Sequence, residues 1–181
     1  MDLHTFFIII HLFGVAIGAG GAFMTDIIFL SSLKDYIFSK TEIRIIKLMS
    51  VAVWTGLILL ISSGLGLFLL DTEKYIASDK FILKMIIVAM LTINGALFHF
   101  KLFPILRSLE GEKTKDSPRF KAYRLFFVAT GAFSIVSWTF AIILGALRSI
   151  PVSLTLGVTV YFSAVLFGVV FGTLSSRRFI S

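Results

Sequence analysis

The chain has 181 residues, of which 57% are apolar, 20 are phenylalanine and only 15% are charged. A soluble domain carries about 25% charged residues and could not hide so much apolar surface, whereas a bilayer takes over the role of the buried core. The lack of cysteine excludes disulfides, iron–sulfur clusters, thiolate zinc sites and thiol catalysis, and the net charge of +7 lies between apolar runs, where it suits an anionic lipid surface. No nucleic-acid motif is present, so membrane lipid is the expected partner and nucleic acid is not.

A helix crosses the hydrocarbon with roughly 20 residues, and five stretches meet that length: 5–30, 48–70, 81–103, 123–147 and 152–174. In lipid every backbone polar group must be satisfied internally, which makes helices of such runs. The first stretch has no basic residue before it, begins after Asp2, and runs past the small residues at 18–22, so it reads as a retained span and not a cleaved signal. Between the third and fourth spans lies PILRSLEGEKTKDSPRFKA, the longest polar segment and too short for a domain. Lys34, Lys40, Arg44 and Lys47, the basic run from Lys101 to Arg124, and Arg177 and Arg178 fall on one side. Lys74, Lys80, Lys84 and Arg148 fall on the other. By the positive-inside rule the N-terminus is outside and the C-terminus cytoplasmic. The expectation is a single all-α domain over residues 1–181: an integral membrane bundle of five transmembrane helices in a bacterial plasma (inner) membrane.

Residues three, four, seven and eleven apart share a helix face. In the first span this aligns His4, His11, Gly14, Gly18 and Ala22 in a stripe whose lower part is nearly bare. Such a groove admits a neighbouring helix, since Gly14–Gly18 is a GxxxG pattern like Gly168–Gly172, or a flat ligand. Imidazole is a common axial ligand of haem iron, which makes His11 the candidate metal ligand and Gly14, Gly18 and Ala22 the candidate porphyrin surface. The plainer account of His11 is a neutral histidine bonded to a carbonyl or hydroxyl. In the third span Lys84, Leu91, Gly95 and His99 form a matching stripe. If the first and third helices are neighbours, two polar levels result, His11 with Lys84 and Asp26 with His99, about 22 Å apart at about 1.5 Å per residue. Lys84 either snorkels to the interface or holds an anionic group beside His11. Asp26 either is solvated near the boundary or pairs with His99 for proton transfer. Asn94, mid-span, either makes an interhelical hydrogen bond or contributes to the cofactor site. Trp54 and Trp138 read as belt aromatics, although deep ones.

HLFGVAIGAGGAFMTDIIFL resembles the opening helix of the HemJ-type protoporphyrinogen oxidases and the related CopD-like membrane proteins, in which a histidine near the outer end is followed ten residues later by a glycine. Here these are His11 and Gly21. LLISSGLGLFL and LKMIIVAMLTINGAL resemble their second and third helices, the latter at Lys84, Val88 and Leu91. The chain departs from that pattern at Asp26-Ile27, where the family has Pro-Arg, at Ile93-Asn94, where it has Tyr-His, and in its fifth span. The resemblance implies haem b, a membrane oxidoreductase acting on a lipophilic, tetrapyrrole or quinone-like substrate, His11 as ligand and Lys84 as a propionate anchor. Two readings stand beside it. One is a small transporter or channel with Asp26, Asn94 and His99 as a proton or ion relay. The other is a non-catalytic assembly protein. Oligomerisation is left open.

Overall fold

Apolar runs long enough to cross lipid fold as helices because each helix satisfies its own backbone. The computed structural model describes residues 1–35, 37–114, 116–147 and 153–178. Lys115, Arg148 and Val152, where the fifth span was expected to begin, lie outside the described residues, as do the side chains of Lys34, Arg177 and Arg178. The elements are α1 (Leu3–Asp35), α2 (Lys40–Leu70), a short α3 (Thr72–Ile76), α4 (Asp79–Leu97), α5 (Phe103–Ser108), α6 (Pro118–Ala146) and α7 (Leu154–Arg178); a π-helical turn, Phe98–Leu102, joins α4 to α5. Five stretches are long and apolar enough to span a membrane: Leu3–Leu33, Lys40–Leu70, Asp79–Ser108, Pro118–Ala146 and Leu154–Ser175. No more than 33% of the apolar window of any of them is buried inside the bundle. Their outward faces, rich in exposed Leu, Ile, Val and Phe, therefore need lipid as solvent.

The closest pairing is α1 on α2, followed by α6 on α7; α4 packs on α6, α2 and α7, and α1 also meets α6. Glycine makes the α1–α2 approach. A Cβ at Gly14 would lie 2.8 Å from the backbone nitrogen of Leu60, and one at Gly56 would run into the backbone of Gly18 and lie 2.7 Å from the Gly14 carbonyl oxygen. Trp138 on α6, 1% exposed, fills the remaining space over Gly18. It is thus a core residue and not the belt aromatic expected of it, because only a bare glycine leaves room for an indole at that depth. Beside it Ser137 Oγ and the Tyr161 hydroxyl form a buried 2.8 Å hydrogen bond between α6 and α7.

The helices overrun the expected spans at one end, which can be called the basic end. The polar segment expected over 104–122 is mostly helical, and only 109–117 remains between α5 and α6. The overrun is stable because its ends are capped and it has its own core. Ser39 and Glu42 form a capping box at the start of α2, and Ser32 Oγ donates to Glu42 Oε1 at 2.7 Å. Ile37 and Phe38 bridge to Lys113 and Glu110, and Gly111, at φ 77°, donates its N–H to the Phe38 carbonyl. Phe38 is fully buried, with Phe29 and Phe120 at centroid distances of 5.7 and 6.1 Å. Removing a buried Phe ring costs about 3–5 kcal/mol. Phe38→Ala is therefore expected to lower the thermal transition of the detergent-solubilised protein sharply, while Ile37→Ala, at an exposed position, leaves it nearly unchanged. At the opposite end, Leu154 N donates to Asp79 Oδ2 at 2.9 Å, and Lys80 Nζ donates to the Leu147 carbonyl. These bonds tie the start of α4 to the ends of α6 and α7.

Candidate functional site

Asp26 lies on α1, and its carboxyl group faces α6 at Gly131. A Cβ built on Gly131 would meet Asp26 Oδ1 at 2.8 Å, so any side chain there would displace the carboxyl group. Oδ2 is fully buried and has no hydrogen-bond partner. A buried polar atom of this kind normally finds a partner. Asp26 lines a cavity of about 60 Å³, walled by α1, α2, the π turn with α4 and α5, and α6. Its polar lining consists of Thr25, Asp26, Ser50, Asn94, Thr130 and Ser134. Asn94 Nδ2 donates to the Thr130 carbonyl at 3.3 Å, the interhelical bond that was one of its two expected roles. Thr25 and Thr130 give their hydroxyl protons to carbonyls of their own helices, leaving oxygen lone pairs for further donors.

The π turn brings His99 to this region. Pro104, in the first turn of α5, has no N–H to continue the α pattern. Just before it the ladder widens, with the Phe103 N–H bonding to the Phe98 carbonyl. Such turns recur at functional sites. His99 Nδ1 sits 3.0 Å from Ser50 Oγ, and Trp54 meets the ring edge-on at 6.4 Å. The expected direct pair of Asp26 with His99 is not formed: Ser50, a wall residue of the cavity, is the histidine's partner. Ala22 also lines the cavity, beside Asp26.

On its far side Asp26 borders a second space, a groove of about 390 Å³ between α1, α6 and α7. Asp26, Phe29, Phe127 and Gly131 are shared by the two walls. Apart from Asp26 and Ser175 the groove is apolar, and Leu30, Ile135 and Phe171 along it are exposed on the outer face of the bundle.

His11 is the centre of a separate level. Its Nδ1 lies 3.0 Å from Ser63 Oγ on α2, and that hydroxyl gives its proton to the Leu59 carbonyl. This contact ties the His11 ring to α2 at Nδ1. Lys84 on α4 is half-buried and close enough for its charge to act at His11. α1 and α4, expected as possible neighbours, each pack on α2 and α6 more than on each other. The porphyrin surface expected at Gly14 and Gly18 is not free. The backbone of α2 covers Gly14, and Gly56 and Trp138 cover Gly18, so the GxxxG pattern serves helix packing. Among the described residues, no three His, Asp or Glu side chains converge as a metal site.

Ser50, Ser63 and Gly131 were not singled out from the sequence. Pro104, five residues after His99, was the available signal for the π turn; a lone serine or glycine in an apolar span carries none. No protein-family model, no curated protein and no solved structure matches this sequence.

Proposed function

We propose that this chain is a small membrane transport protein in which Asp26 takes up and releases a proton, with Asn94, Ser50 and His99 forming the polar route towards the basic end. The observation that carries this reading is the buried, unpartnered Oδ2 of Asp26, on a residue that lines a cavity holding several hydroxyl and amide groups. An ionised carboxylate without a counter-charge is costly inside a membrane, and such groups mark ion or proton pathways. The cavity is several times the roughly 10–15 Å³ that one water needs, and its hydroxyl and amide groups are the partners that ordered water requires. His99 and Ser50 then continue the path from the wall towards the basic end. The asymmetry of Lys and Arg favours a cytoplasmic basic end and a bacterial plasma membrane setting. Reconstituted in liposomes with an interior pH dye, the protein is expected to admit protons down an imposed gradient, and Asp26→Asn is expected to lower the flux by on the order of 10²-fold or more. Gly131→Ala is expected to fold, because it meets only the tip of a side chain, but to lose flux by between tenfold and about 10²-fold through displacement of the carboxyl group.

One observation favours haem b: the His11 ring is held by a hydrogen bond at Nδ1, as the rings of metal-bound histidines commonly are. The close packing at Gly14 and Gly18 does not fit a porphyrin lying along that stripe. A Soret band lost in His11→Ala would establish ligation at this residue. The transport reading predicts a spectrum without one, even after haem is added.

A further inference from the structure

Asp26 lines both a small cavity that carries hydroxyl and amide groups and a larger apolar groove that reaches the outer face of the bundle. A carboxyl group that only relayed a proton would need the first space and not the second. Gly168 and Gly172 on the α7 wall of the groove sit close against α6: a Cβ at Gly168 would lie 2.9 Å from Val136 and one at Gly172 3.3 Å from Val128. Among the described residues, no other charged side chain lines either space. The groove walls from α6 and α7 are Phe, Val, Ile, Ala and Gly apart from Ser175. In the cavity α2 contributes Ser50 and Trp54 but nothing charged. His99, held by Ser50, is the titratable group approaching from the α4–α5 side.

An apolar slot with one acidic group at its inner wall is complementary to a single chemistry, an apolar body bearing one positive charge. We propose that the groove between α1, α6 and α7 binds a lipophilic cation from the membrane, with Asp26 as its counter-charge, so that cation and proton compete for the same carboxyl group. This rests on the reading of Asp26 as the ion-handling residue and gives that site its substrate class. Exchange follows from the competition: a cation entering from the acyl chains displaces the proton into the cavity, and a proton arriving through the cavity releases the cation.

The test uses the detergent-purified full chain and tetraphenylphosphonium, with tetraphenylborate as a probe of the same shape and opposite charge. Equilibrium dialysis is expected to show saturable binding of the phosphonium. Its affinity should fall by up to about tenfold per unit of added acidity as one proton competes. Asp26→Asn should lose the phosphonium while retaining the weak borate partitioning of the unchanged protein. If Asp26→Asn does not fold, the pH series on the unchanged protein decides. Equal binding of the two probes, or phosphonium binding indifferent to pH, overturns the proposal. The transport reading fails separately, in the liposome assay. Asp26-dependent proton flux without phosphonium binding rejects the substrate class alone, and phosphonium binding without proton flux rejects the relay alone.

Discussion

Asp26→Asn is expected to lower proton uptake into liposomes by on the order of 10²-fold or more while leaving the protein folded. Asparagine has nearly the shape of aspartic acid and fills the same space against Gly131, but its amide cannot exchange a proton with the cavity. Positioned acid–base groups contribute about 10²–10⁴-fold to proton transfer, and among the described residues the lining has no second carboxyl group to substitute for Asp26. His99→Ala is a useful contrast. It removes the ring that contacts Ser50 and leaves Ser50 in place in the cavity lining, so a partial loss is expected. Dye quenching under an imposed pH gradient reads both variants, and gel filtration with circular dichroism checks that both fold. A variant with Asn at 26 that conducts as well as the parent would mean that the cavity is only a packing defect.

The largest effect on stability is expected from Gly56→Ala. Its added methyl group would collide with the backbone of Gly18 and of Gly14, and backbone cannot swing aside as a side chain can. Overpacking typically costs about 1–3 kcal/mol and occasionally more. Here it would separate α1 from α2, the most extensive contact of the bundle. The expected outcome is a large fall in the thermal midpoint in detergent, or loss of the folded species. Gly20→Ala is the control. It lies on α1, the partner helix, with open space around it and is expected to be neutral or slightly stabilising, since alanine favours helix over glycine by about 1 kcal/mol. Equal behaviour of the two variants would show that α1 and α2 are not so closely apposed.

The five spans were legible because lipid imposes a length and composition that no tertiary contact can override. Their ends were not. The sequence over 104–122 is polar enough to read as loop, yet α5 and the start of α6 persist there because Leu106, Leu109 and Phe120 bury against Phe38. Helical periodicity grouped His11, Gly14 and Gly18 correctly on one face, but a period does not name the neighbour. That neighbour is α2, whose Gly56 is itself bare, and a close helix contact takes the place of a ligand. Asp26 is eight residues beyond Gly18, which turns it about 80° around the helix at 3.6 residues per turn. The glycine face therefore looks at α2 while the carboxyl group looks at Gly131 of α6. Asp26 and His99 were recognised as belonging to one level, but the serine beside His99 depends on the rotation introduced by the π turn, which hydropathy does not encode.

The central claim is that Asp26 exchanges its proton with the aqueous phase from inside the bundle. Infrared difference spectroscopy of the protein in lipid, stepped through bulk pH, tests it directly. The account predicts a carboxylic acid carbonyl band that titrates reversibly and is missing from Asp26→Asn. Absence of such a band throughout the titration, or its survival in Asp26→Asn, would contradict it.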